Sequence, residues 1–135
     1  MVVLDSSFLI AYHNSRDVHH AAAAPAMDEL IAGKWGRGLL LEYVFLEVVT
    51  VLLARRGLSV ALTVGTALLR ARELDFVPCS DLFLDTLEAF RSQTGTKLGF
   101  TDAAIVTVAR RHDPSLVATF DRDFRGLKGI RTIPV

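Results

Sequence analysis

Four acids stand where a carboxylate is costly or conspicuous. Asp5 follows the apolar run Val2-Val3-Leu4, and Asp121 follows the apolar stretch Leu116 to Phe120. Both stretches read as short buried strands, so both carboxylates stand where the chain leaves the core. Glu47 is the only charged residue between Tyr43 and Ala54. The helical pattern around it is apolar on every side, which is the mark of a buried helix. An ionised carboxylate there costs several kcal/mol unless something cationic meets it, and no Lys or Arg stands three or four residues away on either side. Asp102 follows Thr101 at the start of another helical pattern, where an acid also suits the helix dipole by about 0.3–1 kcal/mol. Each acid has a structural explanation by itself: Glu47 reaches water, Asp102 serves its helix, and Asp123 is a turn acid. Taken together they form an all-oxygen set free of His and Cys, which suits the hard cations Mg²⁺ and Mn²⁺. Such ions activate water and offset charge on a phosphoryl group during in-line displacement, and they make an anionic substrate admissible to an acidic pocket.

The elements that must position these acids alternate along the chain. Val2–Leu4 reads as a strand, followed by a short helix from about Phe8 to His13 with Ser6 as its cap. Asp17 is the expected cap of a helix running to about Ala32, and GKWGRG at 33–38 is a turn cluster. Leu39–Leu41 reads as a second strand, Glu42–Arg56 as a helix stopped by Gly57, and Ser59–Arg72 as a further helix. Phe76 and Val77 suggest a third strand ended by Pro78, and Ser80 opens a helix to about Gln93. Thr101 opens the last helix, through Arg111; Leu116–Phe120 is the fourth strand and Ile130–Val135 a weak fifth. This alternation predicts an α/β fold, a single domain over residues 1–135 with a mainly parallel central sheet of about five short strands flanked by helices. Parallel strands end on one side of such a sheet, and ligands bind in the crevice outside those ends where the strand order reverses. Asp5 and Asp121 are both expected at that rim.

Composition bounds the function classes. Lys plus Arg number 15 and Asp plus Glu number 15, so no strong basic excess argues for a nucleic-acid partner, although a neutral total can hide a basic face. Cys79 stands alone, which leaves neither a disulfide framework nor a thiolate zinc site. No signal segment and no run near the ~20 apolar residues of a membrane span is present, so a soluble cytoplasmic protein is expected.

With the motifs in view, the chain resembles PIN-domain nucleases, in particular the VapC-like toxins of type II toxin–antitoxin systems. The segments that carry the resemblance are VVLDSSFLIAYH, EYVFLEVVTVLLARRG, LGFTDAAIVTVAR and LVATFDRDF, which occur in the family's order across essentially the whole chain. The resemblance implies that Asp5, Glu47, Asp102 and Asp121 bind the metal and are catalytic, that Ser7 and Thr119 line the site, and that Asp123 adds an outer contact. It implies an endoribonuclease using Mg²⁺ or Mn²⁺ on single-stranded regions of RNA such as tRNA or rRNA. It also implies inhibition by a cognate VapB-like antitoxin. A homodimer is expected from the resemblance and from the 51% of hydrophobic residues. Where relatives often carry Thr or Ser before the middle motif, this chain has Leu40, Leu41 and Glu42, which offers a second glutamate. Glu47 is preferred, because the run behind it matches better and Glu42 lies about 140° around the helix.

The remaining residues weigh differently. His13, His19, His20 and His112 fit no zinc-ligand spacing. Lys34, Trp35 and Arg37 of GKWGRG could stack and hold a strand of RNA, against the simpler reading of a glycine-rich turn. Arg55–Arg56 and Arg110–Arg111 close their helices, as the dipole favours. Arg122, Arg125 and Lys128 stand closest in sequence to Asp121 and are the expected RNA phosphate contacts. Two alternatives remain: a PIN-like binding module without activity, and a phosphatase of the haloacid dehalogenase type. The latter would carry a second Asp where Ser7 stands.

Overall fold

The computed structural model describes residues 1–135. Strand β1, Val2–Leu4, is central and pairs in parallel with β2 (Gly38–Leu41) on one side and β4 (Ser115–Ala118) on the other. Its three residues are fully covered, so β1 has no solvent face and no reason to alternate polar with apolar. β3 (Leu74–Val77) pairs outside β2, and β5 (Ile130–Ile133) outside β4. Every pairing is parallel and the order is β3-β2-β1-β4-β5. The direction of winding reverses between β1 and β4, which places the expected crevice outside the ends of those two strands.

Helices cover the sheet: α1 (Ser6–His13), α2 (His20–Ile31), α3 (Glu42–Arg56), α4 (Leu58–Arg70), α5 (Phe83–Ser92) and α6 (Phe100–Ala109). α6 has no exposed residue. Ala103 to Val106 are all buried there, and its small residues bring the helix close onto the sheet. Gly57 ends α3 with a φ of +89°, a conformation that a residue with a Cβ resists. It also begins α4 directly, because the Ala61 N–H returns to its carbonyl.

Several local expectations shift. Asp5, not Ser6, caps α1: its carboxylate accepts the Ser6 backbone N–H at 2.8 Å. Asp17 takes the turn before α2 by accepting the His19 N–H at 2.8 Å, so the helix starts only at His20. Ser80–Leu82 forms a 3₁₀ turn, and α5 begins after it. The largest correction concerns α3. It is not buried on all sides: only Val44, Val48 and Leu52 are enclosed, Leu46 is 54% exposed, and Glu47 reaches solvent. The helix packs one stripe inward and leaves an apolar outer face open.

Candidate active site

Asp5 is built into the switch point. The chain leaves β1, and the Asp5 N–H still donates to the Ala118 carbonyl of β4 at 2.9 Å. Asp5 is 3% exposed and both of its carboxylate oxygens are engaged. Oδ1 accepts the Ser6 N–H, while Oδ2 accepts the hydroxyls of Ser7 and Thr119, each at 2.7 Å. Those hydroxyls in turn accept backbone N–H groups of the loop after β4. Phe120 donates to Ser7 Oγ and Asp121 to Thr119 Oγ1, both at 2.9 Å. Thr119 is as buried as Asp5. One carboxylate therefore ties together the two strand ends between which the sheet order reverses.

The other acids approach from different elements. Glu47 comes from α3, and its Oε1 accepts the Ser6 hydroxyl. Asp102 stands in the first turn of α6. Asp121 follows β4 and caps a short 3₁₀ turn, Arg122–Phe124, by accepting the Asp123 N–H at 2.9 Å. A cavity of about 430 Å³ is lined by Asp5, Glu47, Asp102 and Asp121, together with Ser6, Ser7, Asp17, His19, Val51, Arg55, Phe100 and Thr101. Four carboxylates separated by up to 116 positions in sequence thus share one cavity, bounded by Asp5 and Asp121 at the ends of that span.

Two of these acids respond to the charge around them. Asp102 is pushed up to about 7, first by burial and then by the negative charges of Asp5, Asp121 and Glu47. Burial also raises Asp5, against the hydroxyls of Thr119 and Ser7 and the Ser6 N–H, which favour its anion; Glu47 adds to the rise. No three of the acids are gathered tightly enough to form a ready metal cage. Mg²⁺ does not require one, since it keeps several waters and binds through one or two carboxylates. An all-oxygen donor set in which Asp5 and Asp102 are both raised fits a hard divalent cation.

Other expected residues fall elsewhere. Asp123, Arg122 and Arg125 are exposed on the turn after Asp121 and do not line the cavity. Lys128 lines a separate cavity with Arg110 and Gln93. The GKWGRG turn leads into the start of β2, at the opposite end of the sheet, with Arg37 paired to Asp75 at 2.8 Å and Lys34 to Glu29 at 3.1 Å. Glu42 turns away from the acids and accepts the Cys79 N–H at 2.9 Å. Sequence reasoning missed Ser6, Asp17, His19 and Arg55 as lining residues. For Arg55 a signal existed: it stands eight residues, two helical steps of four, beyond Glu47.

The amino-acid sequence matches the PIN domain family over residues 2–130. The chain belongs to the PIN domain family. Among solved structures, this PIN domain is similar to VapC20 of Mycobacterium tuberculosis, described as a sarcin-ricin loop cleaving toxin. That match has a TM-score of 0.78 and 23% identity, over 91% of this chain and 92% of that one. It is also similar to a chain of a toxin–antitoxin complex from Klebsiella pneumoniae, with a TM-score of 0.67 and 17% identity over 98% and 97% of the two chains. At these identities the likeness speaks to the fold. No protein of curated function matches by sequence.

Proposed function

We propose that this PIN domain is a metal-dependent endoribonuclease of the VapC-like toxin type, cutting single-stranded regions of RNA such as tRNA or rRNA. The observation that carries the reading is the cavity at the switch point, where Asp5, Glu47, Asp102 and Asp121 converge and Asp102 is raised to about 7, first by burial and then by its acidic neighbours. Bound Mg²⁺ or Mn²⁺ would supply activated water and offset the charge on the phosphate. Asp5, Glu47, Asp102 and Asp121 would hold the ion. Ser7 and Thr119 orient the Asp5 carboxylate and favour its anion against the opposing effect of burial, and Ser6 steers Glu47 toward it. Phe100 and Thr101 close the side of the cavity next to Asp102.

A haloacid-dehalogenase-like phosphatase would carry a second Asp where Ser7 stands, and Ser7 instead donates its hydroxyl to Asp5 at 2.7 Å. Against an inactive module stands the complete set of four acids in one cavity.

We infer a cytoplasmic setting, restraint by a VapB-like antitoxin, and pairing with a second copy. The open apolar surface on α3 and α4 supports the partners, with Leu53, Leu58, Leu62 and Leu69 between 49% and 62% exposed. The similarity to a chain from a toxin–antitoxin complex supports the antitoxin. No helix is long and apolar enough to cross a membrane. The decisive experiment incubates the purified protein with single-stranded RNA in Mn²⁺, in Mg²⁺ and in EDTA. Cleavage that needs the metal and falls by on the order of 10²–10³-fold in Asp102→Asn is expected; cleavage that persists in EDTA, or that runs at the wild-type rate in Asp102→Asn, would sink the reading.

A further inference from the structure

Five carboxylates line the cavity: Asp5, Asp17, Glu47, Asp102 and Asp121. Arg55 is the single permanent cation among the lining residues. It comes from the same face of α3 as Glu47, because Glu47, Val51 and Arg55 are spaced by four residues and all three line the cavity. Helical side chains lean toward the N-terminus, so Arg55 reaches back over Val51 toward the acids. The helix rise separates it from Glu47 by roughly 12 Å.

Its neighbour behaves differently. Arg56 is held by the buried Asn14 side chain at 2.8 Å, whereas Arg55 takes part in none of the four ion pairs, which join Lys34 to Glu29, Arg37 to Asp75, Arg91 to Glu88 and Arg111 to Asp85. An exposed guanidinium beside five carboxylates, yet paired with none, is available for another anion. Across the same cavity, His19 stacks flat on Phe120 at 4.5 Å and 3°, which gives the lip an aromatic surface.

Resting on the nuclease reading above, we propose that Arg55 is a substrate-positioning residue that holds an RNA phosphate flanking the one cut at the acids. A strand lying along this face of α3 would then meet the acid cluster at one end and the guanidinium at the other. This assigns to Arg55 the phosphate contact that chain proximity suggests for Arg122 and Arg125. The alternative role for Arg55 is to favour the α3 dipole, which needs no RNA.

The test uses full-length protein and a mixed-sequence single-stranded RNA of about ten nucleotides. In an Asp102→Asn background, Arg55→Ala should weaken RNA binding about tenfold and lower the salt slope by about 0.7. Arg55→Lys should restore part of the affinity. In the active protein, Arg55→Ala should raise KM with kcat little changed. An RNA with one neutral methylphosphonate linkage beside the cleaved position should bind wild type more weakly and Arg55→Ala no worse than the unmodified strand. Affinity and slope that ignore Arg55 in a protein that still cleaves RNA would overturn this assignment alone. RNA left intact by the wild type in Mn²⁺ would instead overturn the nuclease reading.

Discussion

Helix α3 carries two surfaces that share almost nothing chemically. One face, through Glu47, Val51 and Arg55, lines the acidic cavity. Another, through Phe45, Val49 and Leu53, joins Leu58, Leu62 and Leu69 of α4 in an apolar groove of about 400 Å³. Between them Val44, Val48 and Leu52 bury the stripe that fixes the helix to the domain. The cavity gathers charge that repels itself, and the groove leaves hydrocarbon in water. Both are unfavourable in the isolated chain, and on the proposed reading each would be relieved by a different kind of partner: a divalent cation in the first case, an apolar surface in the second. Because one rigid helix bears both, changes confined to one face should leave the other unaffected, and that separation can be attacked.

The largest expected effect is on the charged face. Asp102→Asn should lower metal-dependent cleavage by on the order of 10²–10³-fold. It should also raise the melting temperature of the metal-free protein near pH 8. Asp102 keeps its proton in the folded state up to about 7, whereas an unfolded aspartate loses it near 3.9. Between these values the folded chain binds the extra proton, so metal-free stability should fall as pH rises through the window and level off above it. A thermal melt series from pH 4 to about pH 8, with and without Mn²⁺, checks the slope; an identical slope in Asp102→Asn would remove Asp102 as its source. Asp5 is the poorer variant for this purpose, because an Asn amide would turn a donor toward hydroxyls or an N–H that already donate.

Next in size is the support beneath the acids. Thr119→Val takes a hydrogen bond from Asp5 and leaves the half-buried Asp121 N–H without its acceptor. The loss should be about 1–3 kcal/mol in denaturant unfolding. The apolar face comes after it. Leu58→Ser with Leu62→Ser should abolish or weaken self-association in light scattering while cleavage per active chain stays within about twofold and stability within roughly 0.5 kcal/mol per site. Cleavage that collapses in this double variant would mean the two faces of α3 are not independent. Smallest of all, Glu42→Gln keeps an acceptor for Cys79 and should change neither cleavage nor metal response. A strong defect there would make Glu42, not Glu47, the functional glutamate.

Much of this arrangement was legible in the sequence, for reasons specific to each residue. Asp5 and Asp121 end apolar strands, and a parallel sheet brings such ends to one side whatever lies between them. Glu47 was noticed because it interrupts an apolar helix, although the environment inferred for it was wrong. Hydropathy reports that a helix is apolar around its circumference, but not that one side has no neighbour, so Leu46 and Leu53 were assigned to an interior they do not occupy. Arg122 and Arg125 adjoin Asp121 in the chain, but chain proximity does not say which residues line the cavity. The 3₁₀ turn that Asp121 caps carries them onto the outer surface. Arg55 is distant from every strand end, and only the helical period connects it to the cavity.

The paired hydroxyls beside Asp5 also prescribe a substitution alphabet. At position 7 and at position 119 the side chain must spend its one proton on the Asp5 carboxylate and lend a lone pair to a backbone N–H of the next loop. Serine and threonine can both do this, and they are the two aliphatic hydroxyls available. The two positions should therefore accept each other's residue, as Ser7→Thr or Thr119→Ser. Alanine and valine lack both the proton and the lone pair, and cysteine offers only weak versions of each at a longer reach. What this corner of the molecule requires is the direction in which hydrogen bonds run, toward Asp5, and two spellings satisfy it.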